Sequence, residues 1–250
     1  MKTIKREWKE FKILLNNVPT LVTTIFILSV VCMNLVASKE LYSSKFVCIN
    51  CGLALSWIPF LCMDCICKRF GAKASTKISL LAILFNVVTA IAFKLLSMTP
   101  GRWAGYYSAP DEKTGDYINA SLNGAFGMAW YVVLGSAIAM LLSAIVNSLA
   151  NEAVGRMADK GDFKGFAIRS FLSTGIGQWV DNFVFSALVS HMFFGWNWMQ
   201  VFICSITSML IELAAEAIFS PLGYRISKNW ENEGVGVEYI KLVDNTKKAA

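Results

Sequence analysis

The chain has 250 residues, of which 56% are hydrophobic and only 16% charged, with a net charge of +6. A soluble domain is about 45–50% apolar, so this chain has too little polar surface to cover a globule in water, and its mean hydropathy of +0.52 points to lipid as its solvent. The positive balance is accounted for by basic residues held on one side of a membrane and drawn to anionic lipid headgroups, so no nucleic acid is required.

Residues 1–17 are charged and read as a cytoplasmic segment. The first apolar stretch follows Asn17 and is too long for the core of a cleaved signal peptide, so it reads as an anchor. A spanning helix needs roughly 20 mainly apolar residues, because in lipid every backbone N–H and C=O must be paired within the segment. Six windows qualify: 18–37, 46–67, 78–98, 126–149, 166–190 and 198–219. Between the third and fourth, residues 99–124 contain Pro100, Gly101, Tyr106, Tyr107 and Pro110, which suits a turn-rich external cap with aromatic anchors. The fourth-to-fifth link holds Gly155, Gly161 and Gly165 among charges and reads as solvated. After Trp230 the chain is polar and is expected to fray.

Eighteen of the 23 Lys and Arg residues fall in segment 1–17, the second-to-third loop, the fourth-to-fifth region up to Arg169 and the tail. Lys39, Lys45, Arg102 and Lys113 fall on the opposite side. Basic residues resist translocation, so both ends are cytoplasmic and the number of crossings is even. The expectation is an all-α membrane protein, a six-helix transmembrane bundle over residues 18–224 with a cytoplasmic tail at 225–250.

Function is sought among polar groups that a lipid-facing helix does not tolerate. In the fifth window, Ser170, Thr174, Gly177, Gln178, Asp181 and Phe185 recur at helical spacing and form one stripe, with Asn182 beside the carboxylate. One face then offers hydroxyls, a bare backbone, amides, a carboxylate and an aromatic ring. Small residues alone would suggest mere helix packing; Gln178 with Asp181 at membrane depth favours a binding site. Other windows supply Asn34, Trp57 and Asn86, with Trp130 and Trp179 as further flat apolar walls. Glu212 and Glu216 lie one turn apart in the sixth window and suit proton coupling, since adjacent like charges raise one pKa; pairing with a neighbouring Lys is the alternative. Asp64 and Lys68, near the cytoplasmic end of the second window, are candidates for coupling or gating, although Asp64 equally suits solvent or a pair with Arg69.

The seven cysteines lie mostly in apolar runs and read as small packing residues. Cys48 and Cys51 form a C-x-x-C pair near the external end of the second window, which raises a membrane thiol–disulfide oxidoreductase as a rival. Cys62, Cys65 and Cys67 lie toward the other end of that window, and a rise of about 1.5 Å per residue keeps the two groups apart. The same separation excludes one metal shared by both, so no metal or other cofactor is expected. A protease using Asp64 and Asp181 is disfavoured by their different depths, and His191 at an external helix end reads as a polar cap.

The motifs resemble those of the vitamin uptake transporter family, whose characterised members are queuosine precursor transporters. The resemblance rests on Asn34-Leu35-Val36-Ala37-Ser38-Lys39, on Asp64 with Phe70-Gly71 and Lys73, and on Arg169-Ser170, Ser173-Thr174, Gly177-Gln178, Asp181 and Phe185. Glu216 with Pro221 and Tyr224 completes it. It implies a non-enzymatic carrier in the bacterial inner membrane taking up a 7-deazaguanine base or queuine. An alternative is the substrate-binding subunit of an energy-coupling-factor transporter, which borrows an ATPase module. Lys68 stands where the family usually has Glu, and Glu212 where it has Lys, a complementary swap that suggests the two side chains meet. For a guanine-like base, Asp181 would accept the ring N–H and exocyclic amine while Gln178 complements the carbonyl edge. Self-association into a homo-oligomer is compatible with all of this.

Overall fold

The structure is a computed structural model that describes residues 2–99, 112–158 and 163–248. The elements are α1 (Lys2–Asn17), α2 (Thr20–Val36), β1 (Glu40–Ser43), β2 (Cys48–Asn50), α3 (Leu53–Phe70), α4 (Ala72–Leu96), α5 (Glu112–Gly127), α6 (Ala129–Ala158) and α7 (Phe163–Phe185). A π-helical segment, Ser186–His191, and a short turn, Met192–Phe194, prolong α7 before α8 (Trp198–Asn232) and α9 (Val237–Lys248). A helix covers most of each of the six apolar windows. Among the described residues, Ala72–Leu96, Tyr117–Asn147 and Trp198–Asn232 are long and apolar enough to cross a membrane, and α1 with α2 adds a fourth if that bent pair counts as one span. The remaining helices are shorter or more polar: α2 has 17 residues, and α3 ends on Asp64, Lys68 and Arg69.

The faces of α4 show which solvent it meets. Ala74, Ile78, Ala82, Asn86 and Ala90, four residues apart, are buried, whereas Leu80, Leu84, Val88, Ile91 and Leu95 are exposed. Small and polar side chains turn inward and large aliphatic ones outward, the reverse of a helix in water and the arrangement that lipid favours.

Two compact units divide the chain. The first comprises residues 1–31, 55–85 and 215–250. Its core joins Leu14, Phe26, Ile66, Ile78, Trp230 and Tyr239, so both terminal helices are built into it. Pro19 has no N–H with which to extend α1, and the chain turns by 103° into α2. Gly71 alone separates α3 from α4, with φ +88°, a left-handed conformation that favours glycine. The tail does not fray after Trp230: α8 runs on to Asn232, and α9 packs Tyr239, 1% exposed, into this core. The apolar spacing of Val235, Tyr239 and Val243 drives that docking.

A carboxylate–ammonium network ties the unit together. Lys73 Nζ lies 3.0 Å from both Glu7 Oε1 and Glu10 Oε2, and Lys77 Nζ lies 2.9 Å from Glu7 Oε2 and 2.8 Å from Glu10 Oε1. The Tyr239 hydroxyl donates to Glu10 at 3.2 Å, and Asn17 Nδ2 donates to Glu238 at 3.3 Å.

The second unit comprises residues 32–54 and 86–214. Residues 46–52, expected to begin the second span, instead complete an antiparallel hairpin in which Ser43 pairs with Cys48 and Tyr42 with Ile49. The β-branched and aromatic run from Phe46 to Ile49 suits a strand, and Asn50 Oδ1 then accepts the Leu53 N–H at 3.1 Å, capping α3. The expected external cap is a helix from Glu112 onward, because its turn-forming Pro100, Gly101 and Pro110 all precede that residue; Phe126 packs on Phe93 with ring centroids 4.8 Å apart. Tyr106 and Tyr107 lie outside the described residues. The fourth-to-fifth link is shorter than expected, since Gly155 and Gly165 are helical.

Hydrogen bonds from Lys77 and then Lys73 hold the Glu7 carboxyl down from 4.5 to about 2. Burial acts to raise Glu10, but the same two lysines outweigh it and its pKa is lowered. A carboxyl depressed on folding stabilises the fold above its unfolded pKa and loses that contribution as pH falls through its folded one. Hydrogen-exchange protection of α1, corrected for intrinsic rates, is therefore expected to be full above about 4.5 and to fall as pH drops toward about 2. Protection that stays constant over this window would refute the network's role.

Candidate functional site

The second unit holds Asn34, Asn86, Thr174, Gln178, Asp181, Asn182, Phe185 and Glu212; the first holds Trp57, Asp64, Lys68 and Glu216. The fifth-window stripe lies on the α-helical stretch of α7. Along it Gly177 and Gln178 are buried, while Thr174, Asp181, Asn182 and Phe185 are half-buried. The side chains of Arg169, Ser170 and Ser173 lie outside the described residues.

Gly177 is a close-approach point. A Cβ placed there would sit 3.0 Å from the Cβ of Asn147 on α6, so this part of the stripe packs helix on helix, and Gly175 faces Leu213 of α8 in the same way. The stripe is thus a packing face at its glycines and a polar face one turn further on. Asn147 Oδ1 is buried beside Gly177 and has no hydrogen-bond partner among the described residues.

Asn182 links two helices. Its Nδ2 donates to the Gln178 carbonyl at 2.9 Å and to Glu212 Oε2 at 2.7 Å. A primary amide has two N–H donors, and both are committed, which leaves Asn182 only its oxygen for a ligand. Glu212 is buried, and Glu216, one turn along α8, is half-buried. Asp181, in contrast, makes no hydrogen bond or ion pair among the described residues. Its side chain is neither turned wholly outward nor sealed.

Phe185 packs against Ala37, Tyr131, Val132 and Val189. Asn34, buried at the end of α2, lines a cavity of about 180 Å³ with Leu35, Ser38, Ala125, Tyr131 and Val132. Tyr131 therefore belongs to both the Phe185 cluster and the Asn34 cavity, and it stacks on Phe193 with centroids 4.2 Å apart. The sequence offered only Trp130-Tyr131 at a span end, a pattern that reads as an interfacial belt and hides this role. Trp130 meets Tyr131 and Phe193 edge-on, and Trp179 stacks on Phe183. Asn86 is buried on α4.

In the first unit, Trp57 stacks on Phe219 with centroids 4.1 Å apart and an interplanar angle of 16°. Lys68 Nζ sits 3.6 Å above the Tyr224 ring, a close cation–π contact, and Asp64 is exposed one turn before it. Lys68 thus has Tyr224 as a partner, and Glu212 has Asn182 as one.

All seven cysteines are free thiols. Cys48 is buried in β2, where its N–H donates to Cys204 Sγ at 3.1 Å, while Cys51 lies in the turn that follows. Among the described residues no group of three or more His, Cys, Asp or Glu side chains could hold a metal ion. His191 caps the chain reversal as expected, its Nδ1–H donating to the Trp196 carbonyl.

The Asn182–Glu212 bond is measurable. A double-mutant cycle with Asn182→Ala and Glu212→Ala is expected to give a coupling of about 0.6–2 kcal/mol in thermal unfolding, the range of interhelical hydrogen bonds in membranes. Strict additivity would show that the contact contributes nothing.

A family model described as "Putative vitamin uptake transporter" matches residues 50–226. No curated protein and no solved structure matches the chain.

Proposed function

We propose, from the premise that this chain belongs to the vitamin uptake transporter family, that it takes up a queuosine precursor, a 7-deazaguanine base or queuine, across the bacterial inner membrane. In this reading the chain crosses the bilayer six times with both ends in the cytoplasm. The segments are residues 1–17, the transporter domain 18–224 and the tail 225–250.

The observation that supports it is Asp181: a half-buried carboxylate on α7, the fifth span in this reading, with no partner among the described residues, beside an amide and a second carboxylate that already satisfy each other. Holding a charge at membrane depth is costly, and a base offering two adjacent N–H donors repays that cost in one contact. Asn182 then acts as a positioning residue. It is held to Gln178 and Glu212, so it fixes the backbone turn from which Asp181 projects. Thr174 and Phe185 lie one to two turns to either side along the stripe, and Asn34 and Asn86 are buried polar groups of the same unit. Asp64, Lys68 and Glu216 of the first unit and Glu212 of the second are assigned to coupling or gating. No bond is made or broken; access to the bound base alternates between the two sides.

The test is ligand-dependent thermal stability of the purified protein across prequeuosine bases, queuine, guanine and adenine. Ligand at about 100 times Kd adds about 2.7 kcal/mol, several degrees in Tm. Asp181→Asn removes a charge-assisted interaction of about 1.5–3 kcal/mol, so it should weaken binding about tenfold or more while the protein still inserts. Undiminished binding and uptake in that variant would overturn the assignment.

A further inference from the structure

We propose that the outward face of α1 is a binding surface for anionic phospholipid headgroups, with the helix lying along the membrane plane. The sequence of α1 mixes Lys2, Lys5, Arg6, Lys9 and Lys12 with Glu7 and Glu10, and helical spacing places Lys2, Lys5, Lys9 and Lys12 on one face with the two acids off it. Folding then engages the acids. Glu10 is 6% exposed, and both glutamates are engaged by Lys73 and Lys77 of α4, while Lys5, Arg6, Lys9 and Lys12 stay exposed. The acids are thereby neutralised within the fold, and what remains outside is cationic.

Trp8 lies on that same face. It is 59% exposed, and Lys12 Nζ sits 5.7 Å from its ring centroid. Trp8 and Lys9 each lie three or four residues from both Lys5 and Lys12, so the four side chains share one face. An indole among lysines is the side-chain set that settles at the headgroup level, its ring among the upper acyl carbons and its cations on the phosphates.

The backbone supplies the orientation. The 103° turn at Pro19 makes α1 nearly perpendicular to α2. On the six-span reading proposed above, in which α2 crosses the bilayer, α1 runs parallel to its surface and presents this face to lipid. An acidic protein face would satisfy the cations too, but it would not require this right angle.

The full chain is reconstituted in nanodiscs containing brominated phosphatidylglycerol or brominated phosphatidylcholine. The fluorescence of Trp8 is taken as the difference between wild type and Trp8→Phe. Quenching at least about twofold stronger by the brominated anionic lipid is expected, with the preference lost at high salt, where the Debye length shrinks to about 3 Å. It should also be lost in the triple variant Lys5→Gln, Lys9→Gln, Lys12→Gln, whose unchanged Tm in detergent would show that it folds. Equal quenching by the two lipids overturns the proposal. So does absence of Trp8 quenching, the result expected if a soluble protein occupies this face.

Discussion

Lipid tails are as apolar as leucine, so helices standing among them are not driven together by the hydrophobic effect. Everything that holds this chain together in the bilayer has to work without that force. On α4 the consequence is direct: alanines and Asn86 turn inward and the large aliphatic residues face out. Close backbone approach, as at Gly177 against Asn147, substitutes dispersion contacts for hydrophobic burial. The Asn182–Glu212 bond adds a directed contact between α7 and α8. The same constraint makes Asp181 conspicuous, because among the described residues its carboxylate has no such arrangement.

The terminal helices of the first unit are held by a second set of contacts. Leu14, Phe26, Ile66 and Tyr239 form an ordinary core, closed by the terminal helices and by four ammonium–carboxylate contacts. Exposed ion pairs contribute little singly. Here Glu10 and Lys77 are largely buried, and the Tyr239 hydroxyl joins them, so the group acts as a network. One chain thus uses two stabilising regimes along its length.

What the sequence disclosed tracks this division. The apolar windows were legible because twenty consecutive nonpolar residues have few alternative meanings, and the Thr174–Gln178–Asp181–Phe185 stripe was legible because helical spacing is enforced in lipid. The hairpin at Cys48–Asn50 was hidden because a short apolar run reads equally as strand or helix. Helix α9 was hidden because its apolar residues are few, and only the tertiary partner Phe70 explains Tyr239, with ring centroids 6.1 Å apart. At the site, spacing showed that Asn182 adjoins Asp181. It could not show that both amide hydrogens are already spent, since that depends on where α8 brings Glu212.

Gly71 is the whole connection between α3 and α4. A tether of one residue has no slack, so neither helix can slide along the other, and the two form a single mechanical hairpin. Any rearrangement that alternates access must carry this pair as a block or deform it internally. Inside α3, Pro59 lacks a backbone donor, so the helical ladder of that half of the hairpin is one hydrogen bond short at this point.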